Sequence, residues 1–268
     1  MPHLLIERRR SLSGIKVPAL LLHDRIRSRS SVYIIELLDI LAAVAFVVGS
    51  VCFLPALSRH LHLFVLACQL FIVGSALHCM IGTLAFIEAI SMKGFRSFET
   101  WEHGMYLIGS WCFLVGSVMY LPGQEQTAGM SAGLSLGQMC QYRDHLAYIG
   151  RQFAGTVVFI IGSILFLLAA FTNALTQRRY DEWSSRMLSA VTSMYMGGSL
   201  LFTVGSFAFL PHFGCGEPMV RLGAWSFIIG SALFLLGSVT SLLRTRRLLA
   251  CEEVQGICGQ DARGTAEA

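Results

Sequence analysis

A ten-residue apolar motif occurs three times in this chain and limits its fold more than any other feature. The motif reads Phe-x-x-Gly-Ser-x-x-aromatic-Leu-Pro and covers residues 46–55, 113–122 and 202–211. A related motif with the same Gly-Ser pair follows each copy, at residues 71–78, 159–166 and 227–234. The six Gly-Ser pairs lie at matching positions of the two motifs. This arrangement indicates one two-helix unit that is repeated three times.

The spacing between the two motifs shows where the units differ. In the first and third units the two glycines are 25 residues apart, whereas Gly116 and Gly162 of the middle unit are 46 residues apart. The middle unit therefore carries 21 additional residues, which we assign to an inserted loop at 123–145. The predicted divisions are a basic N-terminal arm at 1–31, repeats at 32–90, 99–175 and 187–243, and a polar tail at 244–268.

Long runs without charged residues place these units in a membrane. The chain is 54% hydrophobic and 13% charged, whereas soluble domains are about 25% charged. Apolar runs of about 18 or more residues are typical of membrane spans. Such runs lie at 40–58, 60–87, 103–124, 152–177, 187–216 and 222–243. We therefore predict an all-α membrane protein with six transmembrane helices, arranged as three parallel two-helix repeats.

The basic residues predict the orientation of the helices. Of the 20 Lys and Arg residues, 16 lie in the two terminal segments and in the loops on the same side, and 4 lie on the other side. Cytoplasmic loops carry such an excess, so we expect both termini on the cytosolic, stromal or matrix face. The Arg- and Ser-rich arm is either a cytosolic segment on anionic headgroups or a targeting segment.

Small residues recur every seven positions in the predicted helices, and the Gly-Ser pairs belong to these stripes. Seven residues make nearly two helical turns, so each stripe lies on one face of its helix. Membrane helices associate through small residues, and serine can bond across the contact or back to its own helix. We assign helix packing to Gly49, Ser50, Gly74, Ser75, Gly116, Ser117, Gly162, Ser163, Gly205, Ser206, Gly230 and Ser231.

Few polar side chains interrupt the predicted helices. Gln69 and His78 lie within the second helix, and an intramembrane ionisable group is a candidate for function. The alternative for His78 is a neutral imidazole that forms a hydrogen bond across a helix contact. Glu36 and Asp39 lie in the first turns of the first helix, where we interpret them as carboxylates at the headgroups, near the positive end of the helix dipole.

Two cysteines lie on the face opposite the termini. Cys140 is in the inserted loop, and Cys215 is in the loop before the last helix. If that face is oxidising, we predict a disulfide between them. In a reducing compartment both remain free thiols.

The motifs resemble those of the YrhK-like domain, a two-helix unit of small membrane proteins. The resemblance is carried by Glu36, Asp39 and residues 46–50, and by the apolar motif at 227–234. It extends over residues 36–90, 99–175 and 187–243. It implies a membrane hairpin repeated three times and implies no activity, because the biochemical role of the domain is uncharacterised.

The three units depart from one another at polar positions. At the places of Glu36 and Asp39, the second unit has His103 and Tyr106, and the third has Thr192 and Tyr195. His78 stands where the other units have phenylalanine. A role for the acidic pair therefore cannot be shared by all three units.

The motifs exclude several functions. The chain has no Gly-rich phosphate loop, His-Glu-x-x-His helix or Cys-x-x-Cys pair, so we expect no enzymatic activity, cofactor or metal. Its basic residues lack interleaved aromatic residues, so we expect no nucleic-acid partner. The expected partners are membrane lipids, with self-association or a larger membrane complex.

Two classes of function remain open. The first is a structural or accessory membrane protein that is packed through its Gly-Ser stripes. The second is a pore or transporter for a small or apolar solute, lined by Gln69, His78 and the serines. We favour the first class because the predicted helices show neither mid-helix prolines nor charges near the membrane midplane, which are common in transporters.

Overall fold

The computed structural model describes residues 29–123, 146–176, 182–210 and 216–264, and all regular secondary structure in these ranges is helical. The helices are α1 (Arg29–Cys52), α2 (Pro55–Ser58), α3 (Leu61–Lys93), α4 (Phe98–Tyr120), α5 (Leu146–Thr176), α6 (Glu182–Ala208) and α7 (Glu217–Gly264). The predicted all-α class is confirmed. Cys140 and Cys215 lie outside the described residues.

Five of the described helices are long and apolar enough to cross a membrane. The candidate spans are Ser31–Cys52, Leu61–Lys93, Gly150–Leu175, Glu182–Ala208 and Glu217–Ala250. Helix α4 has 23 residues but is not among these five, because Gly, Ser, Tyr, Trp and His residues interrupt its apolar run. Membrane-spanning character is thus supported for five helices rather than for the six that the sequence predicts.

The long helices among those described form a closed ring. Each packs against the long helix before it and the one after it, and α7 returns to pack against α1. Consecutive helices are antiparallel, so the first residues of α1, α4 and α6 and the last residues of α3 and α5 lie together. We call this the amino-terminal end of the bundle. The ring has an interior that every long helix faces.

Glycine allows the two helices of each hairpin to approach closely. A Cβ atom added to Gly198 would lie 3.0 Å from the carbonyl oxygen of Gly230, and one on Gly205 would lie 3.1 Å from that of Gly223. Equivalent close pairs are Gly109 with Gly162, Gly116 with Gly155, Ala42 with Gly74, and Gly49 with Ala67. The seven-residue stripes therefore face each other across all three hairpins.

Each of these glycines also makes room for an aromatic ring of the partner helix. A Cβ atom on Gly116 would lie 2.5 Å from Cδ2 of Phe159, and one on Gly205 would lie 2.7 Å from the ring of Phe227. Real Cβ atoms essentially never approach so closely. Contact between glycine and phenylalanine therefore sets the distance between the two helices of a hairpin.

Aromatic rings fill the centre of the ring of helices. Phe71, Phe159 and Phe227 occupy equivalent positions in the three units, and their ring centroids are 6.1, 6.1 and 6.3 Å apart. Similar layers lie on either side of this one. They consist of Phe46, Phe113 and Phe202, and of Phe53, Tyr120 and Phe209. We call these three layers the aromatic core, and they leave no open axial passage among the described residues.

The outer surface of the bundle is apolar. Large hydrophobic side chains are exposed along the long helices, including Leu37, Val48, Trp111, Ile161 and Leu236. Soluble proteins rarely expose contiguous apolar surface of this extent. The surface is suited to contact with lipid chains.

The contact between glycine and phenylalanine predicts a strong effect of a single added methyl group. We expect Gly116→Ala to lower the stability of the detergent-solubilised protein by about 1–3 kcal/mol, the usual cost of overpacking, because the carbonyl of Gly155 and the ring of Phe159 occupy the space. The measurement is thermal unfolding in mild detergent.

A matched control lies in α5. Gly150 has no atom within 4 Å of an added Cβ, so Gly150→Ala should leave stability unchanged or raise it through better helix propensity. Equal stabilities of the two variants would show that glycine does not limit the approach of the helices.

Candidate functional site

A cavity lies inside the ring at its amino-terminal end, next to the aromatic core. Its volume of about 40 Å³ is enough for a few water molecules. We call it the amino-terminal chamber. Its lining residues come from five of the long helices and are Asp39, His78, Ile81, Glu102, Tyr106, Ser110, Phe166, Asn173, Leu188, Val191, Thr192 and Tyr195. None of these lining residues is Lys or Arg.

Asp39 is held at the chamber by three neighbouring helices. The hydroxyl groups of Tyr195 and Ser238 donate to its Oδ2 over 2.8 and 2.6 Å. Its Oδ1 lies 3.4 Å from Nε2 of His78. The carboxylate thus connects α1 with α3, α6 and α7. Its partners on α6 and α7 are hydroxyl groups, which fix the orientation of the carboxyl group.

Our interpretation of Glu36 and Asp39 as headgroup carboxylates is wrong. Glu36 is fully buried, and its Oε1 accepts hydrogen bonds from Thr245 at 2.6 Å and Ser241 at 3.1 Å. Asp39 lies seven residues before Phe46, on the helix face that the closed ring turns inward. The sequence interpretation used the helix dipole and the expected distance from the headgroups. Both properties belong to a single helix, so they cannot show which of its faces is enclosed by other helices.

Glu102 is a second acidic residue of the chamber, and the sequence analysis missed it. The side chain is 2% exposed, and it accepts a hydrogen bond of 2.8 Å from Nδ2 of Asn173. The hydroxyl of Thr192 donates to Oδ1 of Asn173 over 3.0 Å. A signal was present in the sequence, because Glu102 lies seven residues before Gly109 on the same stripe.

The two polar candidates of α3 lie on different faces of that helix. His78 is near the middle of α3 and faces the chamber, with its side chain 12% exposed. Its ring packs edge-on against Phe46 and stacks on Phe166, and its buried Nε2 has no hydrogen-bond partner. Gln69 is exposed on the outside of the bundle. Of the pair, only His78 faces the interior.

The six glycines of the Gly-Ser pairs lie at helix contacts, their six serines are buried, and none of the twelve residues lines the chamber. Ser117, Ser163 and Ser206 each donate to the carbonyl of the phenylalanine four residues earlier. Ser50 and Ser231 are 3.1 Å apart and connect α1 with α7. The hydroxyl of Ser75 is buried without a hydrogen-bond partner.

The surroundings of His103 show that the polar contacts between neighbouring units differ around the ring. It is the equivalent of Glu36 and Thr192, which bond to polar residues of the preceding helix in the ring. At the positions of α3 that correspond to these polar residues, the chain has Ala85 and Ala89, whose side chains form no hydrogen bonds. Both ring nitrogens of His103 are accordingly buried without a hydrogen-bond partner.

The chamber is not built like a metal centre. Within the part of the chain that the structure describes, no group of three or more His, Cys, Asp or Glu side chains is placed to hold a metal ion. The acidic groups of the lining are instead separated by aromatic and aliphatic side chains. This lining is suited to enclosing a small molecule.

The apolar helices and the inward-facing polar groups are typical of a helical membrane protein. A family model described as YrhK-like protein matches residues 33–90 and 186–246. The resemblance seen in the sequence is thereby confirmed, and these two segments are YrhK-like. The matched ranges do not include the middle unit, which carries the additional residues. No significant match was found among curated proteins or solved structures.

Asp39 and Tyr195 provide a test of the chamber geometry. We expect the variants Asp39→Asn and Tyr195→Phe to be non-additive, with a coupling free energy of about 0.5–2 kcal/mol, because each removes one partner of a buried hydrogen bond. A double-mutant cycle of thermal or denaturant unfolding in detergent measures this coupling. Thr240 donates only to its own helix, so Thr240→Val should be additive with Asp39→Asn. Additivity of all three variants would contradict the observed hydrogen bond.

Proposed function

We propose that this chain is a six-span integral membrane protein with both termini on the cytosolic, stromal or matrix side. Helix α4 packs between α3 and α5 in the ring, and this position supports its assignment as the sixth span. The excess of basic residues near the termini supports the orientation.

The function that the site supports best is the binding of a small solute in the amino-terminal chamber. The observation that carries this proposal is a cavity at the axis of the bundle with two carboxylates and an imidazole in its wall. Ionisable groups inside a membrane protein are costly and mark functional sites by default. The chamber is assigned a binding role and no catalytic one.

The aromatic core argues against a permanently open pore. The equivalent phenylalanines at 71, 159 and 227 meet at the axis, so a solute in the chamber has no straight path to the opposite end. Transport would require the helices to separate around this core. We therefore propose a chamber that is reached from the amino-terminal end only.

A structural or accessory role is the second candidate. It is favoured by the close packing of glycine against phenylalanine in all three hairpins, which gives a closed bundle with an apolar outer surface. Such a protein would associate with copies of itself or with a larger membrane complex. Purification in mild detergent that recovers a fixed partner at constant ratio would support this role.

The number of spans can be tested through the termini. Tags at the N-terminus and the C-terminus should be accessible from the same side of sealed vesicles, and a tag within 124–138 should be accessible from the other side. Five spans would place the two termini on opposite sides. Protease protection of each tag distinguishes the two topologies.

The chamber can be tested by chemical labelling. Ser110 lines it, so the variant Ser110→Cys in sealed vesicles should react with a permanently charged methanethiosulfonate, which does not cross the bilayer, when it is added on the side of the termini. The same reagent added on the opposite side should react at least about tenfold more slowly, because the aromatic core intervenes. Mass spectrometry of the peptide that contains position 110 gives the extent of modification.

A control and two contrary outcomes complete this experiment. Ser163 is fully buried and lies outside the chamber lining, so Ser163→Cys should stay unmodified from both sides. Equal labelling of position 110 from both sides would indicate a continuous pore. No labelling from either side would show a closed cavity and favour the accessory role.

A further inference from the structure

We infer that the turn between α3 and α4 binds an anionic phospholipid at the surface of the bilayer. The binding surface is the outer side of this turn, which we call the α3–α4 corner. It consists of Phe95, Arg96, Phe98 and Trp101. None of these residues lines the amino-terminal chamber, so the inference is independent of what the chamber binds.

The α3–α4 corner exposes three large aromatic side chains. Phe95, Phe98 and Trp101 are 62%, 74% and 57% exposed. The rings of Phe95 and Trp101 lie side by side, with their centroids 5.9 Å apart. Exposure of such a cluster to water is unfavourable, whereas aromatic rings are favoured at membrane interfaces. The corner is therefore suited to contact with a membrane surface.

Hydrogen bonds fix the backbone of this turn. Gly94 follows the last residue of α3 with a φ of 76°, a conformation that favours glycine. Its carbonyl accepts a hydrogen bond of 2.8 Å from the hydroxyl of Thr100, which is buried. The hydroxyl of Ser97 caps α4 by accepting from the backbone N–H of Thr100 over 3.1 Å. The exposed rings thus lie on an ordered turn.

The corner lies at one end of a lipid-facing stripe on α4. Trp101, Ile108 and Val115 are all exposed, and they follow one another at intervals of seven residues. Seven residues make nearly two helical turns, so the three side chains lie on one face of the helix. The acyl chains of a lipid can therefore extend along this face while its headgroup contacts the corner.

Arg96 gives the corner a group that binds phosphate. Its side chain is exposed, and among the described residues no carboxylate forms a salt bridge with it, whereas the nearby Glu99 pairs with Lys93 at 3.4 Å. A guanidinium group presents its N–H donors as a planar fork that can bind two phosphate oxygens at once. Arg96 and the aromatic rings can thus contact the headgroup and the chains of one lipid.

An anionic lipid fits the corner better than a zwitterionic lipid or free phosphate. The ammonium group of phosphatidylcholine would be repelled by Arg96, whereas phosphatidylglycerol carries no positive charge. Free phosphate would contact Arg96 but would leave the three rings exposed to water. Our proposed orientation also puts the corner on the cytosolic, stromal or matrix face, and anionic lipids of the cytoplasmic leaflet attract basic residues next to membrane helices.

The first experiment measures which lipid lies next to Trp101. In the full-length protein the other three tryptophans are replaced through Trp111→Phe, Trp183→Phe and Trp225→Phe. The protein is reconstituted in phosphatidylcholine vesicles that contain phosphatidylglycerol or phosphatidylcholine with brominated acyl chains, because bromine quenches tryptophan fluorescence on contact. We expect the association constant of phosphatidylglycerol at Trp101 to exceed that of phosphatidylcholine at least about twofold.

Trp111 is the matched reporter for this experiment. It is exposed on the same helix as Trp101, and α4 contains no Lys or Arg. A protein with Trp111 as its single tryptophan should therefore show equal association of the two lipids. Equal association at Trp101 as well would overturn the inference. Absence of quenching at Trp101 by either lipid would place the corner outside the bilayer and would also overturn it.

Variants of Arg96 identify the contact. In the protein with Trp101 as its single tryptophan, Arg96→Gln should remove the preference for phosphatidylglycerol, and Arg96→Lys should keep most of it because the positive charge remains. Arg186 is the control, since it is an exposed basic residue that pairs with Glu182. Arg186→Gln should leave the preference unchanged. A preference that survives Arg96→Gln would contradict the inference.

A comparison of buffers distinguishes the lipid from free phosphate. The preference at Trp101 should be the same in sodium phosphate and in sodium chloride of equal ionic strength. Loss of the preference in sodium phosphate alone would assign Arg96 to the free anion and overturn the inference. Because Arg96 is exposed, its variants should unfold at the same temperature as the unmodified protein in mild detergent, so a lost preference reports on the contact itself.

Discussion

The contact between a glycine backbone and a phenylalanine ring across each hairpin is the interaction on which the bundle depends. Gly116 against Phe159 and Gly205 against Phe227 leave no space for a methyl group. In a lipid environment, apolar side chains gain little from leaving the solvent, so close packing must supply much of the association energy. Glycine permits the approach and phenylalanine supplies the contact area. Without this pairing the six long helices that the structure describes would have no fixed distance and no common axis.

The same packing divides the interior of the bundle into the aromatic core and the amino-terminal chamber. Seven-residue spacing puts the phenylalanines of three hairpins at common depths, where they close the axis. One heptad before Phe46, Phe113 and Phe202, the equivalent positions hold Asp39, Tyr106 and Tyr195. The repeated scaffold thus brings three different side chains to one level. The backbone arrangement that the three units share gives the chamber its geometry. The different side chains of the units at this level give the chamber its chemical character.

The buried acids change the balance between the two functional classes. From the sequence, a structural role is favoured because the predicted helices show no charges near the membrane midplane. In the structure, Asp39 lies beside His78 near the middle of α3, and Glu36 is fully buried. Acidic side chains enclosed within a helical membrane protein are costly and rare. Packing alone does not require carboxylates there, so the chamber is the feature of the bundle that most needs a functional explanation.

The sequence by itself determined the helical class, the YrhK-like resemblance and the stripes of small residues, because these depend on local hydropathy and on a spacing of seven. It also identified His78 as an intramembrane polar group. It could not determine the partners across the ring. Asp39 meets Tyr195, and Glu36 meets Thr245, across 156 and 209 residues of chain. Only closure of the ring decides which face of each helix is enclosed, so Asp39 and Glu102 became chamber residues and Gln69 an outer one. A periodic pattern gives the face on which a residue lies, but the neighbouring helices decide what that face contacts.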